Sequence, residues 1–369
     1  MIFNTNKEAT LGIDIGSNSI KVVEIQPTGD RWELVKAAMT PTPPESVKEG
    51  IIIDIPSVAT AIKDVLKEHN IKATGAVCAI SGSQVIVRQV QFAKMTEAVL
   101  RKSIKYEAAK HISSSMEDSV VEFEILGDAD DGMMNVMLVA APRAMIESRV
   151  AVLEQAGLEP LVIDVEAFAL MRTLVEFAAS DEYLHQTVAL IDMGASHTDV
   201  DIVNHGEFAL TRNIPIGGDS FTTAIKSLTG GSNEDAEAIK LQMAAESPLD
   251  YGSNSDNKAW KVVQPLLDGL ITEIRRSINY YQSQFPEDAS DAIVKKIVLT
   301  GGSAMLPGLD KYMASKLNIA VEIADVFKQS AISWRDVDEA SSKNSGAVFT
   351  IGVGLALREQ IEELTKSAA

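Results

Sequence analysis

The chain has 369 residues, with 33 Lys+Arg against 52 Asp+Glu, five His, one Cys and a formal net charge of −19. That acidity argues against a nucleic-acid partner, which needs surplus Lys and Arg to neutralise phosphates, and against direct docking on anionic lipid. Cys78 has no second cysteine to pair with, and no Cys/His cluster has zinc-site spacing. The length fits two or three compact units. No apolar run approaches the ~18 residues of a membrane span. The opening MIFNTNKEAT lacks the basic and apolar regions of a signal peptide. The expectation is a cytoplasmic protein.

In chain order, the first strong pattern is Thr10 to Gln26, an apolar strand ending in Asp14, a small polar loop and a second strand. It predicts a β-hairpin. Thr40 to Val47 reads as a Pro-rich loop, and Pro56 to Asn70 as a helix with Ala61, Ile62, Val65 and Leu66 on one face. Strands follow at 76–80 and 84–92, and a helix over 97–112. Val120 to Leu126 and Met133 to Ala141 bracket the turn Gly127 to Gly132, a hairpin signal. Arg143 to Ala156 reads as a helix closed by Gly157. Residues 87–156 are thus expected to form a small inserted α+β unit.

Thr187 to Asn204 repeats the first hairpin, with Asp192 lying 178 positions after Asp14 (192 − 14). Two such hairpins, half a chain apart, point to two related halves that face each other. Helices are predicted over 219–228, 233–246 and 265–285, with a polar loop at 247–257. Lys296 to Leu309 reads as a strand, a Gly-rich turn and a helix start. Gly346 to Lys366 reads as helical, apolar first and charged later.

Four pieces carry chemistry. In Asp14-Ile-Gly-Ser-Asn-Ser19, a glycine and small hydroxyls let backbone N–H groups approach an anion. An Asp at the strand end can hold a hydrated Mg²⁺ beside it. Asp192-Met-Gly-Ala-Ser-His-Thr198 repeats the parts, so two loops can grip one polyphosphate. Taken singly, each loop reads as a solvent-exposed hairpin turn; the repeat is what favours the phosphate reading. After the apolar strand 297–299, Thr300-Gly301-Gly302-Ser303 leaves backbone bare for a flat nucleoside, or is only a tight connection. Glu237 and Lys240 share a helix face and suit a ribose and a base, or form a surface ion pair.

In this order and spacing, the pieces resemble the actin-like ATPase superfamily over essentially the whole chain. Within it, LGIDIGSNSIKVVEI, EQAGLEPLVIDVEAFALMR and ALIDMGASHTDVDIVNHGEFALTRNIPIGG are similar to the FtsA/PilM family. The resemblance implies an α/β, actin-like (ribonuclease H-like), two-lobed ATPase fold with an inserted α+β subdomain 1C. Its divisions would be 1–86 and 157–186 for 1A, 87–156 for 1C, 187–228 for 2A, 229–294 for 2B, and 295–369 for the rest of lobe 2.

The resemblance further implies the cofactors ATP and Mg²⁺. Phosphates would meet Asp14, Gly16, Ser17, Asn18, Lys21, Asp192, Gly194, Ala195, Ser196 and Thr198. The nucleoside would meet Gly217, Gly218, Glu237, Lys240, Gly301, Gly302 and Ser303. Asp14 and Asp192 would serve the metal through water. Glu166 stands where actin has a water-orienting glutamine, although it also reads as a carboxylate favoured by a helix N-terminus. ATP is expected to act chiefly as a conformational ligand, with weak or absent hydrolysis.

The PilM branch of the family implies a cytoplasmic scaffold of type IV pilus assembly, peripheral to the inner membrane through a protein partner. That partner is the N-terminal cytoplasmic tail of PilN, lying in a 1A/1C groove. Pilus platform proteins, motor ATPases and ring-like self-association complete the implied partners, with no nucleic acid and no membrane insertion. Two other readings compete. One is an FtsA-like membrane tether of cell division, which the acidic end ALREQIEELTKSAA disfavours. The other is a sugar-branch kinase, for which Asp164 and Glu166 supply carboxylates. His197 reads as structural, and His69, His111, His185 and His205 show no metal spacing. Cys78 reads as core. Met133, Met134 and Met137 read as core or as an adaptable peptide groove.

Overall fold

The computed structural model describes residues 10–28, 31–109, 118–177, 181–246, 258–286, 289–328, 332–334 and 346–358. The predicted polar loop at 247–257, His111 and the last part of the C-terminal helix lie outside the described residues.

Strand β1 (Thr10–Ile15) is buried throughout, and β2 (Ser19–Thr28) returns antiparallel beside it with Asp14 opposite Lys21. A third strand, β3 (Arg31–Pro41), completes a meander. Sequence reading passed over it, because its Lys36-Ala37-Ala38 centre favours helix; pairing with β2 overrides that preference. A short ribbon, β4 (Val47–Lys48) and β5 (Ile51–Ile52), leads into α1 (Ile55–Glu68). The Asp54 side chain accepts from Ser57 N at the helix start, and Val58, Ala59, Ile62, Val65 and Leu66 form the buried stripe.

Strand β6 (Gly75–Ile80) runs parallel to β1. The chain then leaves this sheet for β7 (Ile86–Ala93), α2 (Glu97–Ala108), β8 (Ser119–Asp128) and β9 (Met133–Pro142). These strands form a separate sheet in the order β7-β9-β8, with α2 packed on it through Leu100 and Ile104. Met134 is buried there and Met137 on the opposite face of the sheet, so these two are core, while Met133 is half-buried. The return helix α3 (Arg143–Ala156) ends at Gly157 (φ 85), the left-handed conformation that glycine adopts most readily. Its Val152, Leu153 and Ala156 pack with the α1 stripe rather than with the three-stranded sheet.

Strand β10 (Glu159–Val165) joins β6 in parallel, and α4 (Glu166–Met171) runs on into a π-helical turn, Arg172–Glu176. The second half restarts with β11 (Thr187–Met193), β12 (Thr198–Asn204) and β13 (Glu207–Ile214). Helices α5 (Gly218–Thr229), α6 (Asn233–Glu246) and α7 (Lys258–Gln282) follow. The predicted start of α7 at Pro265 falls inside the helix. Ala259 and Val263 extend its buried stripe, and that burial outweighs the backbone hydrogen bond lost at the proline. Strand β14 (Val294–Thr300), α8 (Leu309–Leu317), β15 (Ala320–Ile323), β16 (Ile332–Trp334) and α9 (Thr350–Ala356) complete the described chain.

The two main sheets repeat one plan. The first runs β10-β6-β1-β2-β3-β16 and the second β13-β12-β11-β14-β15. Apart from the edge strand β16, each is a three-stranded meander followed by two parallel strands. Helices α4 and α9 are the last helices described in their halves and pack against each other between the sheets. Gly354 makes that approach possible, since a Cβ there would lie 2.0 Å from Ala169 O. Arg172 reaches across to donate to Gly354 O at 2.7 Å and pairs with buried Asp164 at 2.9 Å. Asp164 is thereby committed to the junction and is not a free cleft carboxylate.

Candidate functional site

The duplicated hairpins place their loops on opposite walls of one cleft of about 630 Å³, within the usual range for small-molecule sites. Each loop closes with the same bond. Gly16 N donates to Ser19 O at 3.1 Å, and Gly194 N donates to His197 O at 3.0 Å. Thr42 braces the first loop, its hydroxyl donating to Gly16 O at 2.7 Å and its N–H to Asn18 O at 2.9 Å. The second loop is braced by Gly218 N, Asp219 N and Ser303 Oγ, which donate to the carbonyls of Gly194, Ala195 and Gly194. Gly217 is needed for that docking, because a Cβ there would lie 2.4 Å from Ala195 O.

The Gly-rich turn after β14 meets the second loop from the other side. Gly301 sits at φ +85, and a Cβ on it would lie 2.5 Å from Asp192 Oδ1. Gly302 faces open space, as a surface for a flat ligand should. On α5 and α6, Lys240 Nζ is 2.8 Å from Glu237 and donates to Thr222 Oγ1 at 3.0 Å and Gly218 O at 3.3 Å. The Glu237–Lys240 ion pair exists, but it lines the cleft rather than an outer surface. The other predicted phosphate and nucleoside residues line the cleft as well, except Thr198 and Gly217, which lie behind it. Thr198 is buried, and its hydroxyl donates to Ile216 O.

Charge is distributed unevenly between the walls. Lys21 Nζ lies 2.9 Å from Asp14 Oδ2. Burial pulls this ammonium down, but Asp14, Asp192 and Glu166 outweigh it and the net shift is upward. No cation stands opposite Asp192: its partner across the hairpin is Asp199. Burial, then Asp199 and Asp14, push the Asp192 carboxyl up to about 7. Burial, with Asp14 and Asp192, lifts Glu166 to about 8. His197 resists its own burial through the Asp199, Glu166 and Asp192 carboxylates and rises to about 9. A wall this crowded with carboxyls fits a divalent cation, which would neutralise what Lys21 cannot. Asp192 would hold it, with Asp14 beyond.

In the sequence Asp199 carries no motif and His197 reads as structural. The structure brings both to Glu166, the first residue of α4. One signal was present. Asp199 and Asp201 interrupt an otherwise apolar strand two residues apart, hence on one face. Cys78 is fully buried in β6, where burial pushes its thiol to about 12, so it is a core residue.

A family model described as type IV pilus assembly protein PilM matches residues 12–360. The chain belongs to the PilM family. A solved PilM-PilN type IV pilus biogenesis complex contains a chain that matches with TM-score 0.82 and 26% identity, over 95% of this chain and 98% of that one. The cell division protein FtsA of Streptococcus pneumoniae is 24% identical over 352 residues, covering 85% of this chain and 74% of the relative. MreB5 of Spiroplasma citri, solved with AMPPNP, shares the fold at TM-score 0.56 and 13% identity, over 99% and 100% of the two chains. The actin-like fold implied by the resemblance is therefore the fold of this PilM-family chain. No helix among the described residues is long and apolar enough to cross a membrane.

Proposed function

We propose that this PilM-family chain is a nucleotide-switched scaffold of type IV pilus assembly. ATP and Mg²⁺ occupy the cleft, and the N-terminal cytoplasmic tail of PilN docks between the first lobe and the inserted 87–156 unit. The observation that carries this reading is the pair of matching Asp-x-Gly hairpins around one cavity, in a chain similar along nearly its whole length to a PilM solved with PilN. Backbone N–H groups of the two loops receive the phosphates. Asp192, with Asp14 beyond it, holds the hydrated cation. Gly301, Gly302 and Ser303 support the nucleoside, and Glu237, oriented by Lys240, accepts from the ribose.

Hydrolysis is slow or absent in this reading. ATP then acts by favouring the closed cleft, and with it one state of the partner groove. The −19 charge favours a tail with basic residues and attachment to the inner membrane through that tail.

Gly302→Trp tests the cleft, because the side chain fills open space without straining the backbone. ATP affinity should fall at least ~100-fold, the scale of losing a whole subsite. A PilN N-terminal peptide should protect β6–β9 and α3 amides from exchange. Unchanged ATP affinity removes the nucleotide assignment, while protection confined to the second lobe removes the groove.

A further inference from the structure

Three side chains meet where the second phosphate loop and strand β12 approach the start of α4. Glu166 comes from the first lobe, and His197 and Asp199 from the second. One donor atom from each lies within 4.8 Å of the other two. His197 Nε2 is 3.1 Å from Asp199 Oδ2, close to the roughly 3 Å between neighbouring ligands that each sit about 2.1 Å from one ion. The Ser81 hydroxyl, from the first lobe, is 3.4 Å from the same nitrogen.

Groups outside the trio aim these donors. Ser196 Oγ engages His197 Nδ1 at 2.8 Å, which turns Nε2 toward the carboxylates. Asn213 Nδ2 donates to Asp199 Oδ1 at 2.7 Å. Asp199 is only 8% exposed, and its other oxygen, Oδ2, is buried and faces His197 Nε2 inside the cluster. Metal-bound imidazoles and carboxylates are oriented in this way, by a partner on the atom that does not ligate.

We propose that Glu166, His197 and Asp199 bind a divalent first-row transition ion that bridges the two lobes. One imidazole nitrogen and two carboxylate oxygens suit Zn²⁺, Mn²⁺ or Co²⁺. Mg²⁺, which prefers oxygen and water, is left to Asp192 and Asp14. Because the ligands come from both walls, the ion holds the cleft closed, and it does so without nucleotide. The inference therefore stands or falls apart from the pilus reading. Its competitor is a buried ion triad, with a protonated imidazole between two carboxylates.

The test uses full-length, tag-free protein, stripped of metal and nucleotide. Zn²⁺ is titrated by calorimetry and Co²⁺ by visible absorption. One site of micromolar affinity or tighter is expected, and one equivalent of Zn²⁺ should shift the His197 ring nitrogens in NMR spectra. Asn213→Leu should weaken Zn²⁺ about tenfold, the usual effect of removing an outer partner. His197→Gln should abolish the Co²⁺ band. The NMR shift needs no variant, so misfolding cannot hide the answer. Absence of a site tighter than millimolar, an unmoved His197 ring, or binding that survives His197→Gln would each overturn the proposal.

Discussion

The two halves share a strand order and a hairpin bond but not a charge pattern. Opposite Asp14 stands Lys21; opposite Asp192, at the equivalent place, stands Asp199. The first hairpin thus neutralises itself, whereas the second gathers carboxyls that Lys21 and His197 offset only in part. Topology here follows from buried apolar strands and a tight glycine loop, which both halves keep. Function follows from one residue across the ladder, where they differ. An acidic wall facing a self-neutralised one makes the cleft electrostatically asymmetric.

The largest effect should come from the junction that keeps the halves in register. Gly354→Ala drives a methyl into Ala169 O, a backbone atom that cannot rotate away. A loss of about 4 kcal/mol in urea unfolding is expected. A loss below about 1 kcal/mol would mean that α4 and α9 are free to separate. Next comes Lys21→Met. It strands Asp14, which is 5% exposed, without a counter-charge. Removing one partner of a buried pair costs about 3 kcal/mol, and ATP binding should weaken with it. The matching cut on the other wall, Asp199→Ala, should cost only about 1 kcal/mol. It removes Asn213's acceptor and the carboxylate beside partly exposed His197, but also relieves Asp192 of a like charge. Equal losses in the two variants would break the contrast between the walls.

Legibility in the sequence followed locality. Both hairpins and the Gly301–Gly302 turn were readable because strand, Asp and Gly lie within a few residues of one another. The Glu237–Lys240 pair was readable for the same reason, though not its place in the cleft. Asp199 was not, because Glu166 and Asn213 reach it from other strands and another lobe. Lys21 could be placed only once β2 had a register, which put it across from Asp14 rather than in solvent. Strand β3 exists through its pairing with β2, and α7 passes through Pro265 because Ala259 and Val263 have a core to fill. What the sequence withholds is the set of contacts made by tertiary neighbours.

The smallest effect sharpens the comparison from inside the sheets. Cys78 pairs with Ile13 on β6, and Leu299 pairs with Ile191 on β14, so the two residues hold equivalent places in the two halves. Both are fully buried. If these strands are alike in packing, the cysteine is there as an apolar filler and its sulfur has no chemistry. Cys78→Val, close in volume, should then cost less than ~1.5 kcal/mol in urea unfolding and leave ATP affinity unchanged. The native thiol should also resist labelling at pH 8, since burial holds it at about 12 and the reactive species is the thiolate. Labelling should appear only when urea unfolds the chain. Fast modification of the folded protein would mean that the first sheet opens around β6, and that the two halves differ in core rigidity as well as in charge.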